Sequence, residues 1–307
     1  MSGPVLPDAM RTRPFTVAEL RDAGLPRSRL RHPGLHLPTR SVRSVAPVDT
    51  VLDRAIAFAA ALPGDCAFSH ATAALILGLP LPQRFEAQTA LDVMRPSHHT
   101  PIRRRGCVGH RGLETRMVVE ASGLRVVAPV DTWVDLGELT LRGLTVDDLV
   151  VAGDVVVGRL RPGDPPLSDA VASRSRPRGA SGLVRAAALV RPGSRSPMET
   201  RSRLMFHRAG FPEPEVNSVV RDAQGGWLLE GDLVWRQHRV IGEYQGAHHA
   251  SIKRRSADSS RASSVEEHGW RVLEIFAEDV LAGARRRACL TRFARAMRLD
   301  VADLRID

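Results

Sequence analysis

Residues 227–249 read WLLEGDLVWRQHRVIGEYQGAHH. Two apolar and β-branched runs, 227–235 and 239–245, flank the polar segment Arg236-Gln-His238, and this pattern predicts two neighbouring strands. A turn at 222–226 separates the first run from an earlier strand at 216–221. A helix precedes these strands, and a further strand and terminal helices follow them. The sequence therefore predicts an α+β fold, a mixed sheet flanked by helices, over residues 191–307.

Acidic side chains are concentrated on one face of the predicted strand pair. Counting by twos along the first strand puts Leu229, Leu233 and Trp235 on one face, and Glu230 and Asp232 on the other. On the second strand, Glu243 and Gln245 share a face by the same rule. Asp232 and Glu243 are therefore expected to converge and to bind one hard divalent cation, Mg²⁺ or Mn²⁺, with the amide of Gln245 beside them. Such an ion activates water for attack on a phosphodiester.

Glu199 lies in the first turn of the preceding helix, which Ser196 is expected to cap and Gly210 to end. Two roles stay open for its carboxylate. It closes a capping box with Ser196, or it contacts the metal ion and its water.

Further polar groups follow the second strand. His248 or His249 is a candidate general base, and the sequence favours neither over the other. Arg254, Arg255 and Arg261 are candidates for contact with DNA phosphates, although a solvated helix face also accounts for them.

The order of these residues resembles that of the PD-(D/E)XK nuclease superfamily, and within it the very-short-patch-repair-like (Vsr-like) endonuclease domains. The resemblance covers about residues 195–282. It is carried by Glu199, by Glu-Gly-Asp232-Leu-Val-Trp, by Val-Ile-Gly-Glu243-Tyr-Gln245-Gly-x-His-His, and by the later Arg-x-x-Asp-x-x-Arg and Gly-Trp-Arg-Val-Leu strings.

The resemblance implies a restriction-endonuclease-like fold in which Asp232 and Glu243 are metal ligands and Glu199 is the helix acid. Gln245 stands where the family usually has lysine, so the charge beside the attacking water is missing. Two functions follow as expectations. The first is a metal-dependent DNA endonuclease, and the alternative is a DNA-binding regulator or antitoxin-like protein on a nuclease fold without activity.

Composition restricts the function classes further. Lys and Arg number 44 against 34 Asp and Glu, a formal net charge of +10, which favours a polyanionic partner. Few aromatic residues are present for base stacking, so duplex DNA is the expected partner. No apolar stretch approaches the roughly 18 residues of a membrane span, no secretory signal begins the chain, and no phosphate-binding glycine loop occurs. These features predict a cytoplasmic protein.

The N-terminal segment 1–45 is the most basic part of the chain for its length. Its pattern predicts two short helices, of which Thr16 and Glu19 open the first with a capping box. Arg27, Arg29 and Arg31 are the candidates for DNA contact. Pro33 ends the second helix after about one turn. A helix-turn-helix reader and a basic arm that touches phosphate both stay open.

A mixed module of helices and strands is predicted at 46–160, a linker and connecting helix at 161–190, and the nuclease-like domain at 191–307. Within the module, helices are predicted at 48–62, 69–77, 130–139 and 145–156, and strands at 89–94 and 124–127. Ser69 is the expected N-cap of the second helix and Gly78 its stop. Strings such as Ser69-His-Ala-Thr-Ala-Ala and Pro129-Val-Asp-Thr-Trp133 resemble AbiEi-type antitoxins. The resemblance implies a toxin–antitoxin or defence partner that the sequence does not identify. The pair His98-His99 lacks a third ligand and is expected to lie in a surface loop.

Overall fold

The computed structural model describes residues 6–246 and 265–306. Five predicted site residues, His248, His249, Arg254, Arg255 and Arg261, lie outside the described residues. The chain divides into two compact units: unit 1 is Met1–Ala152 with Pro165–Val184, and unit 2 is Gly153–Asp164 with Arg185–Asp307. Helices and mixed sheets occur together, which confirms the predicted α+β class.

The helices are α1 (Asp8–Thr12), α2 (Val17–Asp22), α3 (Val51–Ala59), α4 (His70–Ile76), α5 (Gln83–Glu86), α6 (Pro129–Leu136), α7 (Val146–Val157), α8 (Leu167–Ser173), α9 (Ala180–Leu189), α10 (Pro197–Arg208), α11 (Ala277–Val280) and α12 (Ala284–Met297). The strands are β1 (Phe15–Thr16), β2 (Val42–Arg43), β3 (Ala67–Phe68), β4 (Leu91–Arg95), β5 (Cys107–Arg111), β6 (Val118–Ala121), β7 (Leu124–Val127), β8 (Glu215–Arg221), β9 (Trp227–Trp235), β10 (Val240–Gln245) and β11 (Arg271–Phe276). Within residues 6–246 and 265–306, every helix is too short or too polar to cross a membrane.

The first part of unit 1 contains short helices and the two-stranded antiparallel ribbon β1–β2. A complete capping box between Thr16 and Glu19 begins α2, as the sequence predicts. Arg27, Arg29 and Arg31 lie in a 3-10 helix of five residues, Arg27–Arg31. This helix is shorter than the recognition helix that a major-groove reader normally presents.

The remainder of unit 1 is built on a five-stranded mixed sheet in the order β5-β4-β3-β7-β6. The predicted strands near 89–94 and at 124–127 are confirmed as β4 and β7, and the predicted helices as α3, α4, α6 and α7. The short strand β3 joins β4 to β7 at the centre of the sheet. Two residues carry no periodic signal, which is why the sequence did not predict it.

The structure differs from the predicted linker at 161–190. Within this segment α8 and α9 form, and their residues Leu167 and Leu183 are buried. Arg174, between the two helices, forms ion pairs with Asp131 and Asp135 on α6. One connecting helix is predicted in this segment, and two are present. The Pro- and Ser-rich composition concealed α8, because it contributes only a few apolar side chains to a core that other segments supply.

Unit 2 contains a four-stranded sheet in the order β11-β10-β9-β8, in which only the β10–β11 pair is parallel. The helices α10 and α12 pack on one face, where Phe206 and Phe293 meet Trp235 in the core. Val234 and Ile241 belong to a smaller cluster with other neighbours. This is the helix-flanked mixed sheet that the sequence predicts for residues 191–307.

Side-chain alternation breaks in the middle of β9. Leu229 packs with the cluster of Val234 and Ile241, so the prediction that it shares a face with Leu233 and Trp235 is wrong. The neighbouring strand is irregular close to this point: Asn217 on β8 has a left-handed backbone with φ of 46°. Regular pairing is recorded on both sides of Asn217 but not at Asn217 itself. The register is the same on both sides, with Val216 opposite Leu233 and Ser218 opposite Gly231, and the register shift of this strand pair lies between Val220 and Arg221.

A buried ion pair fixes α10 within unit 2. Arg203 on α10 is fully buried, and its guanidinium lies 3.2 Å from the carboxylate of Asp154, which is 1% exposed. Arg203 also donates to Glu213 and to the carbonyl of Leu189, and Thr200 donates to Asp154 at 2.8 Å. Both buried charges therefore have several partners, which is the condition under which such a pair is tolerated.

Arg203→Ala is expected to lower the free energy of unfolding of unit 2 by about 3–5 kcal/mol, because it leaves the Asp154 carboxylate buried without its cation. Urea unfolding followed by tryptophan fluorescence measures this loss. Arg208→Ala, at the exposed end of the same helix, is the matched control, with an expected change below about 0.5 kcal/mol. Equal losses in the two variants would contradict the assignment.

Candidate functional site

Asp232 lies where the pairing of β9 with β10 ends. The recorded pairs run from Val240↔Trp235 to Gly242↔Leu233, and one further step of this register puts Glu243 opposite Asp232. There the backbone N–H of Tyr244 donates to Oδ2 of Asp232 at 2.8 Å. The Asp232 carboxylate is thus bound to the residue that lies between Glu243 and Gln245.

The surroundings of Asp232 oppose its ionisation. Burial raises the pKa of this carboxyl, and the negative charges of Glu199 and Glu230 raise it further. The Tyr244 N–H and the Arg195 guanidinium act in the opposite direction without reversing the shift. Asp232 and Glu199 are therefore close enough to feel each other's charge, as expected for members of one acidic site.

Glu199 is 92% buried at the start of α10, since only 8% of it is exposed. The hydroxyl of Ser196 accepts from the Glu199 backbone N–H at 3.2 Å, so the predicted cap is present. The Glu199 carboxylate does not complete a capping box, however. Its Oε2 accepts from the backbone N–H of Arg195 at 2.8 Å and from Nδ2 of Asn217 at 2.7 Å. Glu199 thus connects the segment before α10 with β8.

Glu243 and Gln245 are half-buried on β10. In the parallel register with β11, Glu243 pairs with Glu274, which adds a further acid to this part of the sheet. The acids of unit 2 do not form a metal-ligand set of three side chains among the described residues. The group whose ligand atoms all lie within 4.8 Å of one another is His70, His110 and Glu138 in unit 1.

Sequence reasoning missed two residues that shape the acidic site. Arg195 forms a two-pronged ion pair with Glu230, and one of its bonds measures 2.9 Å. Asn217, whose backbone is left-handed, donates a side-chain hydrogen bond to the Glu199 carboxylate. Neither residue belongs to a spacing pattern, because both act across segments that only the fold brings together.

No family model matches the chain. Two proteins of Mycobacterium tuberculosis, uncharacterized protein Rv2248 of strain H37Rv and uncharacterized protein MT2308 of strain CDC 1551, are each 26% identical to it over 237 residues. The match covers 75% of this chain and 81% of each relative. Among solved structures, the Rv2827C protein from the same organism is 16% identical with a TM-score of 0.39, over 68% of this chain and 83% of that chain.

Asp232→Asn is expected to raise the melting temperature at pH 8. The folded-state pKa of Asp232 is raised, so the protonated form of this residue stabilises the folded protein. This contribution to the free energy of unfolding is complete only below the unfolded-state pKa of about 3.9. It is lost as the pH rises through the folded-state pKa. Removing the charge reverses this loss, and each kcal/mol regained is worth about 2–4 °C in a domain of this size. Calorimetry at several pH values should show the gain shrinking as the pH falls toward 4.

Glu230→Gln is the matched control for this measurement. Its ion pair with Arg195 lowers the pKa of Glu230, so ionisation of this group favours folding and its removal is not expected to stabilise the protein. A loss of melting temperature in Asp232→Asn at pH 8 would contradict the electrostatic argument.

Proposed function

We propose that unit 2 is a metal-dependent DNA endonuclease that hydrolyses phosphodiester bonds, with Mg²⁺ or Mn²⁺ bound by Asp232 and Glu243. The observation that carries the proposal is the 2.8 Å hydrogen bond from the Tyr244 N–H to Asp232. It holds this carboxylate against the part of β10 that bears Glu243 and Gln245. The resemblance to PD-(D/E)XK nucleases assigns the ligand roles to the same residues.

The donor set suits a hard divalent cation. Asp232, Glu243 and Gln245 offer only oxygen ligands, and Mg²⁺ commonly binds through one or two carboxylates while it keeps several waters. Two carboxylates are therefore sufficient without a third protein ligand. When bound, the ion lowers the pKa of a coordinated water and neutralises charge that develops on the phosphodiester.

The residues of the chain have distinct tasks in this proposal. Asp232 and Glu243 hold the ion, and the amide of Gln245 orients the attacking water through hydrogen bonds. Glu199 acts through its charge on the same site. His248 or His249 accepts a proton, and both lie outside the described residues.

Basic residues supply the DNA contacts. Arg254, Arg255 and Arg261, which lie outside the described residues, bind DNA phosphates, and Arg27, Arg29 and Arg31 bind the duplex backbone through unit 1. The proposal implies a cytoplasmic protein that acts on duplex DNA.

Supercoiled plasmid provides the direct test. With Mg²⁺ or Mn²⁺, the full chain is expected to nick plasmid DNA, and Asp232→Asn is expected to reduce the rate by about 100-fold or more, because a metal ligand is lost. Glu230→Gln removes the same charge two residues away on β9, where Arg195 neutralises it, and should retain most of the activity. Cleavage that survives in Asp232→Asn would refute the assigned site.

Gln245→Lys is expected to increase the nicking rate by about tenfold or more, because it restores a positive charge beside the attacking water. Initial rates on the same plasmid, at matched Mg²⁺ concentration, measure the gain. Gln237→Lys, in the exposed turn before β10, adds the same charge away from the site and controls for stronger DNA binding. An equal gain in both variants would assign the effect to general electrostatics.

A second candidate function, a DNA-binding regulator or antitoxin-like protein, is favoured by two observations. Oε2 of Glu199 is already occupied by two structural hydrogen bonds, and Gln245 replaces the lysine that the resemblance leads one to expect. In this case the chain binds duplex DNA and lowers its electrophoretic mobility without cleaving it. Added salt or removal of residues 1–45 weakens the complex.

A further inference from the structure

Three metal-binding side chains meet in unit 1, far from the acids of unit 2 in the sequence. His70 begins α4, His110 lies on β5, and Glu138 follows α6. One ligand atom from each lies within 4.8 Å of the others, and His70 Nε2 is 3.5 Å from Glu138 Oε2. The two imidazole rings stack with their centroids 3.7 Å apart. Three elements of the fold thus converge on one point.

Each histidine has a partner behind it. Nδ1 of His70 lies 3.0 Å from the Ser69 hydroxyl, and Nε2 of His110 lies 3.0 Å from Oδ1 of Asp92, which is 1% exposed. These contacts leave Nε2 of His70 and Nδ1 of His110 as the nitrogens for an ion. The stacked rings are only 20° from parallel, so one ring must turn for both nitrogens to bind the same ion. Metal-bound histidines almost always use their second nitrogen in this way, on a carboxylate or another polar group that fixes the ring.

The backbone at His70 is held in an uncommon conformation. Its φ is 48°, in the left-handed region, although the residue is 97% buried. Ser69 occupies the predicted N-cap position but makes no capping hydrogen bond, and its hydroxyl bonds the His70 ring instead. A non-glycine residue in this region costs on the order of 1 kcal/mol or more and commonly marks a functional site.

Glu138 is held from two sides. Oε2 faces His70, and Oε1 accepts from the Arg178 guanidinium. The loop that carries Arg178 comes very close to the end of α6, since a Cβ on Gly179 would lie 2.1 Å from the carbonyl oxygen of Gly137. Only glycine at position 179 permits this approach, which brings Arg178 to the carboxylate.

We propose that His70, His110 and Glu138 bind a zinc-class divalent ion that keeps one coordination position open to a phosphate-type anion. Two imidazole nitrogens and one carboxylate are a donor set found in zinc sites that keep an open position. They differ from the oxygen-only set that Mg²⁺ prefers. Ligands on one tetrahedral zinc ion lie about 3.3 Å apart, and the His70–Glu138 separation of 3.5 Å already meets this spacing.

The cavity beside the three ligands supports the anion assignment. It has a volume of about 710 Å³, and arginines form much of its lining: Arg111, Arg116, Arg174, Arg176 and Arg178. Arg116 pairs with Asp135, and Arg174 pairs with both Asp131 and Asp135. Arg111 and Arg176 have no ion-pair partner in the described part of the chain, so their charges are available to an anion. Guanidinium groups bind phosphate oxygens in a two-pronged geometry.

Metal binding tests the site directly. The full chain is stripped with a chelator, dialysed and titrated with Zn²⁺ and, separately, Mg²⁺ by calorimetry, with the bound metal counted by mass spectrometry. One Zn²⁺ per chain is expected at the site, with no comparable uptake of Mg²⁺ there. Co²⁺ in place of Zn²⁺ is expected to give the visible absorption of a four-coordinate ion. Failure to retain Zn²⁺ would overturn the proposal and identify the three residues as a buried polar network.

Variants separate this site from the one in unit 2. His110→Gln and Glu138→Gln are expected to weaken Zn²⁺ binding by more than about 100-fold, and Asp92→Asn, a positioning residue, by about 10–100-fold. His207→Gln, at an exposed histidine of unit 2, and Asp232→Asn should both retain the ion. Glu138 is only partly buried, so its variant tests the proposal even if His110→Gln does not fold. Full binding in Glu138→Gln with loss in Asp232→Asn would contradict the assignment.

Inorganic phosphate tests the open position. Added phosphate is expected to change the Co²⁺ spectrum, and Arg111→Ala is expected to raise the phosphate concentration needed by about tenfold, since one charged hydrogen bond is lost. Arg105→Ala, outside the lining of the cavity, is the control. A spectrum that phosphate leaves unchanged would overturn the anion assignment.

Discussion

The buried ion pair between Arg203 and Asp154 is the constraint on which unit 2 depends. Neither charge reaches water, so each is tolerable only where it meets the other and its additional hydrogen-bond partners. This condition leaves one position for α10 against its neighbours in the unit. Glu199 lies one turn before Arg203 on the same helix, so the pair also determines where Glu199 stands relative to Asp232.

The two candidate ion sites differ in their donor atoms, and this difference separates their chemistry. The acids of unit 2 offer oxygen to a hard cation such as Mg²⁺ and concentrate negative charge, which opposes the ionisation of Asp232. The cluster of His70, His110 and Glu138 offers two imidazole nitrogens with one carboxylate, which favours zinc. Its arginine-lined cavity has a surplus of positive charge and attracts anions. Loss of one ion need not affect the other.

Local signals predicted much of the fold. Caps, glycine stops and apolar periodicity identified α4, α6, α7 and α10, and alternation identified β7, β9 and β10. The signals failed where an element is short or irregular. β3 has two residues, α8 lies in a Pro- and Ser-rich segment, and Leu229 packs with Val234 and Ile241 rather than with Leu233 and Trp235.

By itself, the sequence predicted Asp232 and Glu243 as the acidic candidates of unit 2 and placed them on neighbouring strands, because a short turn joins those strands. Only the tertiary structure reveals the cluster of His70, His110 and Glu138 in unit 1. His70, His110 and Glu138 are 40 and 28 residues apart in the chain, and no periodic pattern links them. Their meeting depends on how α4, β5 and the end of α6 pack, and packing between distant segments is set by the shape of the whole core rather than by spacing along the chain.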